Sequence, residues 1–381
     1  MICIRNAKVV LENGILSEGI IVIEGDRIAA VGTDNTIDFP ADAQIIDAGG
    51  AYVGPGFVDI HVHGGGGSMF HDAPEKAAHH FLSHGETTVL ATLYYDLSKE
   101  QFLEAIDRIR AAMDTEAGAS IGGFYMEGPY MNPKYGASAD KNCWKGDIRP
   151  EDYKELVDRA GALVKVWAIA PEREGVEPFL AYARQINPTV TIAVGHSEAT
   201  PAQVQRLKKY GLTLQTHCMN ATGRKSDWLG TRGCGPDEAC MLDPDMYAEL
   251  ICDSMGVHVN PDLQKLILKV KGIDKVVLIS DSFVSTEPSS DRLLNVTDLM
   301  FDRNGNLCGS CLTMDVICRN IMKHTGCSMV QAFLMASRNP AKAIGMDHEI
   351  GTIAPGKKAN LVFTDDAFRI RRVMLNGTFR L

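Results

Sequence analysis

No run in this chain of 381 residues is apolar for long enough to cross a bilayer, which excludes a membrane-spanning helix on sequence grounds. The opening "MICIRNAKVVLENG" alternates apolar and polar residues and lacks the unbroken apolar centre of a secretory signal, so a cytoplasmic location is expected. Basic residues are short relative to acidic ones, 38 against 48, and no basic stretch offsets the net charge of −10. A general nucleic-acid binder is thereby excluded, although a small anionic substrate needs only a local basic pocket. Low-complexity segments and flexible linkers are also missing. Ten cysteines without a secretory signal imply reduced thiols, and their one close pair, Cys308 and Cys311 in "CGSC", has no second CxxC and no thioredoxin-like surroundings to give it a role.

What is present is an ordinary globular composition, 45% hydrophobic and 23% charged, long enough for one large domain with a smaller companion. The first fifty residues alternate in short runs, as in "GIIVIEGDRIAAVG", and the last thirty repeat that texture in "ANLVFTDD" and "IRRVMLNGTFRL". Two β-rich ends imply one small sheet domain built from residues 1–52 and 348–381. In between, over 53–347, eight apolar runs recur at 57–60, 87–92, 121–126, 164–170, 189–195, 212–216, 247–252 and 275–280. Amphipathic stretches separate them, including 98–113, 150–160 and 201–210, the last with Thr200 as N-cap and proline at its first position; further helices are expected over 312–344. Buried strands alternating with helices eight times over predict a closed (β/α)₈ barrel, with both faces of a parallel sheet covered.

The residues that follow those runs are chemically alike. His61 and His63 in "GFVDIHVHGGGG" stand one residue apart, so on a strand they share a face with alpha carbons roughly 6.5 to 7 Å apart. Glu127 ends the third run, His196 the fifth, His217 the sixth and Asp281 the eighth. Singly, each has an ordinary explanation as a turn anchor or a hydrogen-bonded core histidine. Jointly, all six open on one barrel face, where charged residues read as catalytic. Four imidazoles and two carboxylates without a thiolate suit zinc, and also iron, cobalt or manganese. Six donors exceed one open tetrahedral ion, so two ions are plausible chemistry: one held by Glu127, His196 and His217, the other by His61, His63 and Asp281. Such a centre activates water for amide hydrolysis, with Asp281 as proton carrier.

At this point the sequence resembles the amidohydrolases, and among them the N-acetylglucosamine-6-phosphate deacetylase family. The resemblance runs almost end to end through "MEGPYMNP", "APE", "VGHSEAT", "THCMNAT", "LISDS", "GSCLTM", "NPAKAIG" and "GTIAPGKKANLVF". It implies a TIM-type barrel carrying a β-sandwich made from both termini, a homodimer, and removal of the acetyl group from an amino sugar phosphate, N-acetylglucosamine-6-phosphate. It implies Glu127, His196 and His217 as metal ligands and Asp281 as acid and base, and the intact His61/His63 pair resembles the two-metal members. Asn220, Ala221 and His258 match positions that contact the sugar phosphate.

The substrate-facing loops depart from the family pattern. Where an Arg-Glu-Pro-Gly element usually supplies a phosphate-binding arginine to the neighbouring subunit, this chain reads "TGRKSDWLGTRGCGPDE", leaving Arg224 and Arg232 as candidates. The usual Asp-Gly-x-His-Val is "DSMGVHV", two residues longer, and Gly-Ala-His is Gly136-Ala137-Ser138. N-acetylgalactosamine-6-phosphate, an unphosphorylated sugar and an N-acyl amino acid therefore stand as alternative substrates. A non-catalytic scaffold would have no reason to keep all six site residues, and Glu127 occupies the strand where a carboxylated lysine would bridge two metals.

Overall fold

The computed structural model describes residues 1–137, 139–224, 230–284, 296–301 and 306–381. Each of the eight apolar runs is a strand: Phe57–Val62, Glu86–Tyr94, Ile121–Glu127, Val164–Ile169, Thr191–Val194, Leu212–Gln215, Tyr247–Ile251 and Val276–Ile279. They pair in parallel in chain order. The eighth meets the first through main-chain bonds at their C-terminal ends, where the Asp281 N–H reaches the His61 carbonyl at 2.9 Å and the His63 N–H reaches the Ser282 carbonyl at 2.9 Å. Deeper in that seam a side chain replaces the ladder: the Asp59 carboxylate accepts the N–H groups of His61 at 3.1 Å and Ser280 at 3.3 Å. Burial pushes this carboxyl up to about 7, against the opposing pull of those hydrogen bonds.

The helices begin where their caps demand. Ser98 and Gln101 exchange hydrogen bonds at the start of Lys99–Met113, and Thr200 and Gln203 do the same before Pro201–Leu207. The latter helix is shorter than the expected 201–210, because its end tightens into a 3₁₀ turn, Lys208–Tyr210, ahead of Gly211 at φ +87°. Pro150–Ala160 stands as expected. The stretch 312–344 divides into Met314–Thr325, Met329–Phe333 and Asn339–Ala343, with a π turn, Leu334–Arg338, ahead of Pro340, which has no N–H to offer the preceding turn.

Strands from both termini hydrogen-bond into one further eight-stranded sheet. It branches at Ile2–Leu11, which pairs with Gln44–Asp47 through residues 2–5 and with Tyr52–Pro55 through Lys8 and Val9. Ile4, Val9, Ile21, Ile23, Val53, Leu361 and Phe363 form its core. Tyr52–Pro55 runs straight on into the first barrel strand, and the junction is tight: the Gly56 N–H bonds the Asn360 carbonyl at 2.8 Å, while Phe57 stacks on Phe333 at 5.4 Å. Among the described residues no helix is long and apolar enough to cross a membrane. Cys308 and Cys311 lie on and just beyond the strand Leu307–Ser310 without a disulfide, and no cysteine belongs to a group of described residues that could hold a metal.

A Cβ at Gly54 would stand 2.2 Å from the Phe333 ring. Gly54→Ala should therefore cost about 1–3 kcal/mol through overpacking, read as a lower midpoint in thermal or urea unfolding. An unchanged midpoint would show that the sheet and barrel slide freely at this junction.

Candidate metal centre

Three of the six candidate ligands share a backbone device. His196, His217 and Asp281 each lie two residues beyond the last residue of their strand, with φ of +43°, +27° and +48°. Left-handed backbone at a non-glycine residue is costly and survives where surrounding structure enforces it. Met219 and Ala221 add φ of +64° and +50°, so five of the nine described non-glycine residues with positive φ sit on the loops at this barrel mouth. The other three ligands need no strain: His61 and Glu127 lie within strands and His63 one residue beyond, sharing the inward face with His61 by simple alternation.

The structure brings all six side chains together. Glu127 stands at the centre, 2% exposed, with its two oxygens facing different pairs of imidazoles. Oε1 lies 2.7 Å from His196 Nε2 and 3.0 Å from His217 Nε2; Oε2 lies 3.1 Å from His63 Nε2 and 3.4 Å from His61 Nε2. Asp281 Oδ1 closes the second group at 3.3 Å from His63 and 3.6 Å from His61. Two triads of donor atoms result, His61/His63/Glu127 and Glu127/His196/His217, each compact enough for one ion.

Proton accounting shows that these donors suit a metal. His61 Nδ1 faces the Glu249 carboxylate at 3.1 Å and His217 Nδ1 faces the Asn220 carbonyl at 3.1 Å, so each neutral ring carries its hydrogen on Nδ1 and presents a bare Nε2 inward. His217 Nε2 then meets His196 Nε2 at 3.1 Å and a carboxylate oxygen at 3.0 Å, while His61 Nε2 is buried with no hydrogen-bond partner. Acceptors facing acceptors in a dry pocket call for cations between them. The charges agree. Burial by itself raises the Glu127 carboxyl, but the imidazoles of His61, His196 and His217 hold it well below the usual carboxylate range. Burial likewise disfavours the charged ring of His63, and the carboxylates of Asp281 and Glu127 outweigh it and lift the group to about 9. Asp281 is held low by His63 and His61 despite its burial.

Residues outside the six complete the support. Glu249, fully buried in the seventh strand, holds His61 Nδ1, accepts the His217 N–H at 3.1 Å and receives the Tyr125 hydroxyl at 3.4 Å. A glutamate inside the apolar run "YAELIC" is the sequence signal that points to it. Glu172, the acid of "APE", ties Ser197 and Asn132 together at 2.6 and 2.8 Å, bracing the loop that carries His196.

The candidate substrate residues divide. His258 is buried beside the cluster's loops, its Nδ1 fixed by Asp253 at 3.1 Å and its Nε2 left without a partner; Asn220 donates to the His258 carbonyl at 3.1 Å, which brings Asn220 and the longer "DSMGVHV" loop together. Ala221 follows directly in left-handed backbone. Arg224 and Arg232 point elsewhere: both converge on Glu238, at 3.4 and 2.8 Å, on the helix Pro236–Leu242, with substantially exposed side chains. Ser138 falls outside the described residues.

Two outcomes follow from these contacts. Glu249→Gln should weaken metal binding by roughly 10- to 100-fold, measured by competition with a chromophoric chelator, because the imidazole of His61 loses its charged partner; unchanged affinity would remove Glu249 from the centre's support. The Asp253 carboxyl, with burial opposing and His258 and the N–H groups of Val257 and His258 prevailing, is held down at about 2. A lowered carboxyl stabilises the fold above its unfolded value near 4 and ceases to do so as pH falls through about 2. Asp253→Asn should accordingly flatten the loss of thermal stability between pH 4 and pH 2, and an unaltered acid limb would contradict that assignment.

The chain matches the amidohydrolase family over residues 52–380. It is similar to the N-acetylgalactosamine-6-phosphate deacetylase of Escherichia coli O157:H7, at 28% identity over 98% of each chain. It is also similar to the N-acetylglucosamine-6-phosphate deacetylase of Bacillus subtilis strain 168, at 27% identity over 98% of this chain and 96% of the relative. Among solved structures, that of N-acetylglucosamine-6-phosphate deacetylase from Pasteurella multocida superposes with a TM-score of 0.86 at 26% identity, covering 100% of this chain and 99% of the other. With an inward-facing ligand set at the mouth of its barrel and a family match over most of its length, this chain belongs to the amidohydrolase family.

Proposed function

We propose that the chain is a metal-dependent deacetylase of N-acetyl amino sugar phosphates, with N-acetylglucosamine-6-phosphate as its substrate and acetate and the amino sugar phosphate as products. The observation that carries this reading is the division of Glu127, one oxygen toward His196 and His217 and the other toward His61 and His63, with Asp281 beside the second pair. In this reading Glu127, His196 and His217 hold one ion, His61, His63, Glu127 and Asp281 hold a second, and zinc is the metal. A divalent ion there supplies Lewis acidity, lowering the pKa of a water to about 7 and polarising an amide carbonyl.

The chain's own groups do the rest. Asp281, ionised at neutral pH because His63 and His61 keep its carboxyl low, takes the proton of the attacking water. Its side chain is 14% exposed, so it reaches the cleft and passes that proton to the departing amine nitrogen as the C–N bond breaks. His258, with Asp253 on Nδ1, offers Nε2 to a sugar hydroxyl, and Asn220 keeps the His258 loop in place. Arg224 and Arg232, turned from this chain's own cluster toward Glu238, carry one more positive charge than that glutamate neutralises, and they are the cations assigned to the phosphate bound by the neighbouring subunit of a homodimer. A homodimer in the cytoplasm completes the reading, supported by the family resemblance of the sequence. The E. coli relative's name favours one alternative, N-acetylgalactosamine-6-phosphate, because the two sugars differ only in one hydroxyl's orientation.

The test is acetate release by zinc-loaded protein from both phosphorylated sugars and from N-acetylglucosamine. Asp281→Asn should reduce kcat by about 10²- to 10⁴-fold. Replacing Arg224 and Arg232 together by alanine should raise KM for the phosphorylated sugar by roughly 10- to 100-fold with kcat held, the expected effect of losing charged hydrogen bonds. Inactivity of fully loaded protein on both phosphorylated sugars would reject the substrate assignment.

A further inference from the structure

His196 is held differently from His61 and His217. His61 and His217 have their Nδ1 atoms fixed by Glu249 and the Asn220 carbonyl, whereas His196 Nδ1 is buried with no hydrogen-bond partner. A metal-binding imidazole is normally oriented by the bond its other nitrogen makes, so something else must orient this one. Segment 132–137 lies against it. The Asn132 N–H bonds the His196 carbonyl at 3.0 Å, and a Cβ at Gly136 would stand 2.6 Å from His196 Nδ1 and 2.5 Å from the hydroxyls of both Tyr94 and Tyr95. Gly136 has φ +99°, open in practice to glycine alone.

Both edges of this strap are latched. On one side the hydroxyls of Tyr95 and Tyr94 donate to a single acceptor, the Ala137 carbonyl, at 2.7 and 3.2 Å. Their ring centroids lie 3.9 Å apart, tilted by 32°, and stand 6.0 and 5.9 Å from the His196 ring; the Tyr94 ring also meets His63 edge-on at 5.6 Å, a ring contact that phenylalanine would keep. On the other side Lys134 and Tyr135 reach Glu198 at 2.6 and 3.0 Å, two residues beyond His196 itself. We propose that Tyr94 and Tyr95 are positioning residues: by pinning the Gly136 strap onto His196 they set the orientation of that imidazole by packing, and so govern the Glu127/His196/His217 metal position separately from the His61/His63 position. The inference rests on the two-ion reading of the centre. It gives a role to the end of the second strand, which contributes no candidate ligand.

The experiment is a metal titration of the full chain and of Tyr94→Phe/Tyr95→Phe, with cobalt(II) as the probe. Ligand-field absorption and stoichiometry by elemental analysis are the readouts, with thermal unfolding as control. Phenylalanine keeps the rings and removes only the latching hydroxyls, so the fold should survive. The expected result is one ion retained at wild-type affinity and the other weakened about 10- to 100-fold, with Gly136→Ala giving the same selective loss. Two ions bound as tightly as in the parent chain, or both weakened in parallel, would overturn the proposal. A parent chain that takes up a single ion would instead reject the two-ion reading. The strap would then be judged on that ion alone, supported by a weakened affinity in the double variant and overturned by an unchanged one.

Discussion

Everything at the barrel mouth turns on one buried carboxylate facing four imidazoles. Glu127 is surrounded at 2.7 to 3.4 Å by the Nε2 atoms of His61, His63, His196 and His217, all of them buried side chains. An arrangement of that kind has no stability of its own, since bare ring nitrogens and carboxylate oxygens repel in a low dielectric unless positive charge lies between them. Protons can meet part of that need, which is the direction in which the neighbouring carboxylates push the His63 imidazole, and the two groups of donors are each compact enough for a metal ion to meet the rest.

The barrel is built to bear this cost. Its closing hydrogen bonds, between His61 and Asp281 and between His63 and Ser282, lie at the candidate ligands themselves, so the seam and the cluster are one structure. Asp59 extends the seam inward by accepting the N–H groups that a regular ladder would have paired. Strained backbone at His196, His217 and Asp281 turns each loop away just as its side chain points in. A tightly packed scaffold tolerates such local strain, and pre-organised donors lose little freedom when a ligand arrives.

Much of this was legible in the residues. Eight apolar runs became eight strands because buried parallel strands must be apolar on both faces, and the six ligand candidates converged because parallel strands end together. Glu249 stands out as the acid within the apolar run "YAELIC", but its partners His61 and His217 lie on other strands and only the fold joins them. Nothing in the sequence singles out Tyr94 and Tyr95 or shows that Arg224 and Arg232 meet at one glutamate, because a chain pattern carries no information on which loops touch.

The sequence by itself determined the architecture and named the six candidate ligands that converge, because periodicity dictates strands and helices, and strand ends in a barrel share one face. Tertiary structure alone decided how the ligands divide. The split of Glu127 between two histidine pairs, the hold of Glu249 on His61 and His217, and the strap of residues 132–137 over His196 all join segments tens of residues apart in the chain. Only packing brings such segments to within a hydrogen bond's length, and the division of one carboxylate between two pairs of imidazoles depends on distances of that size.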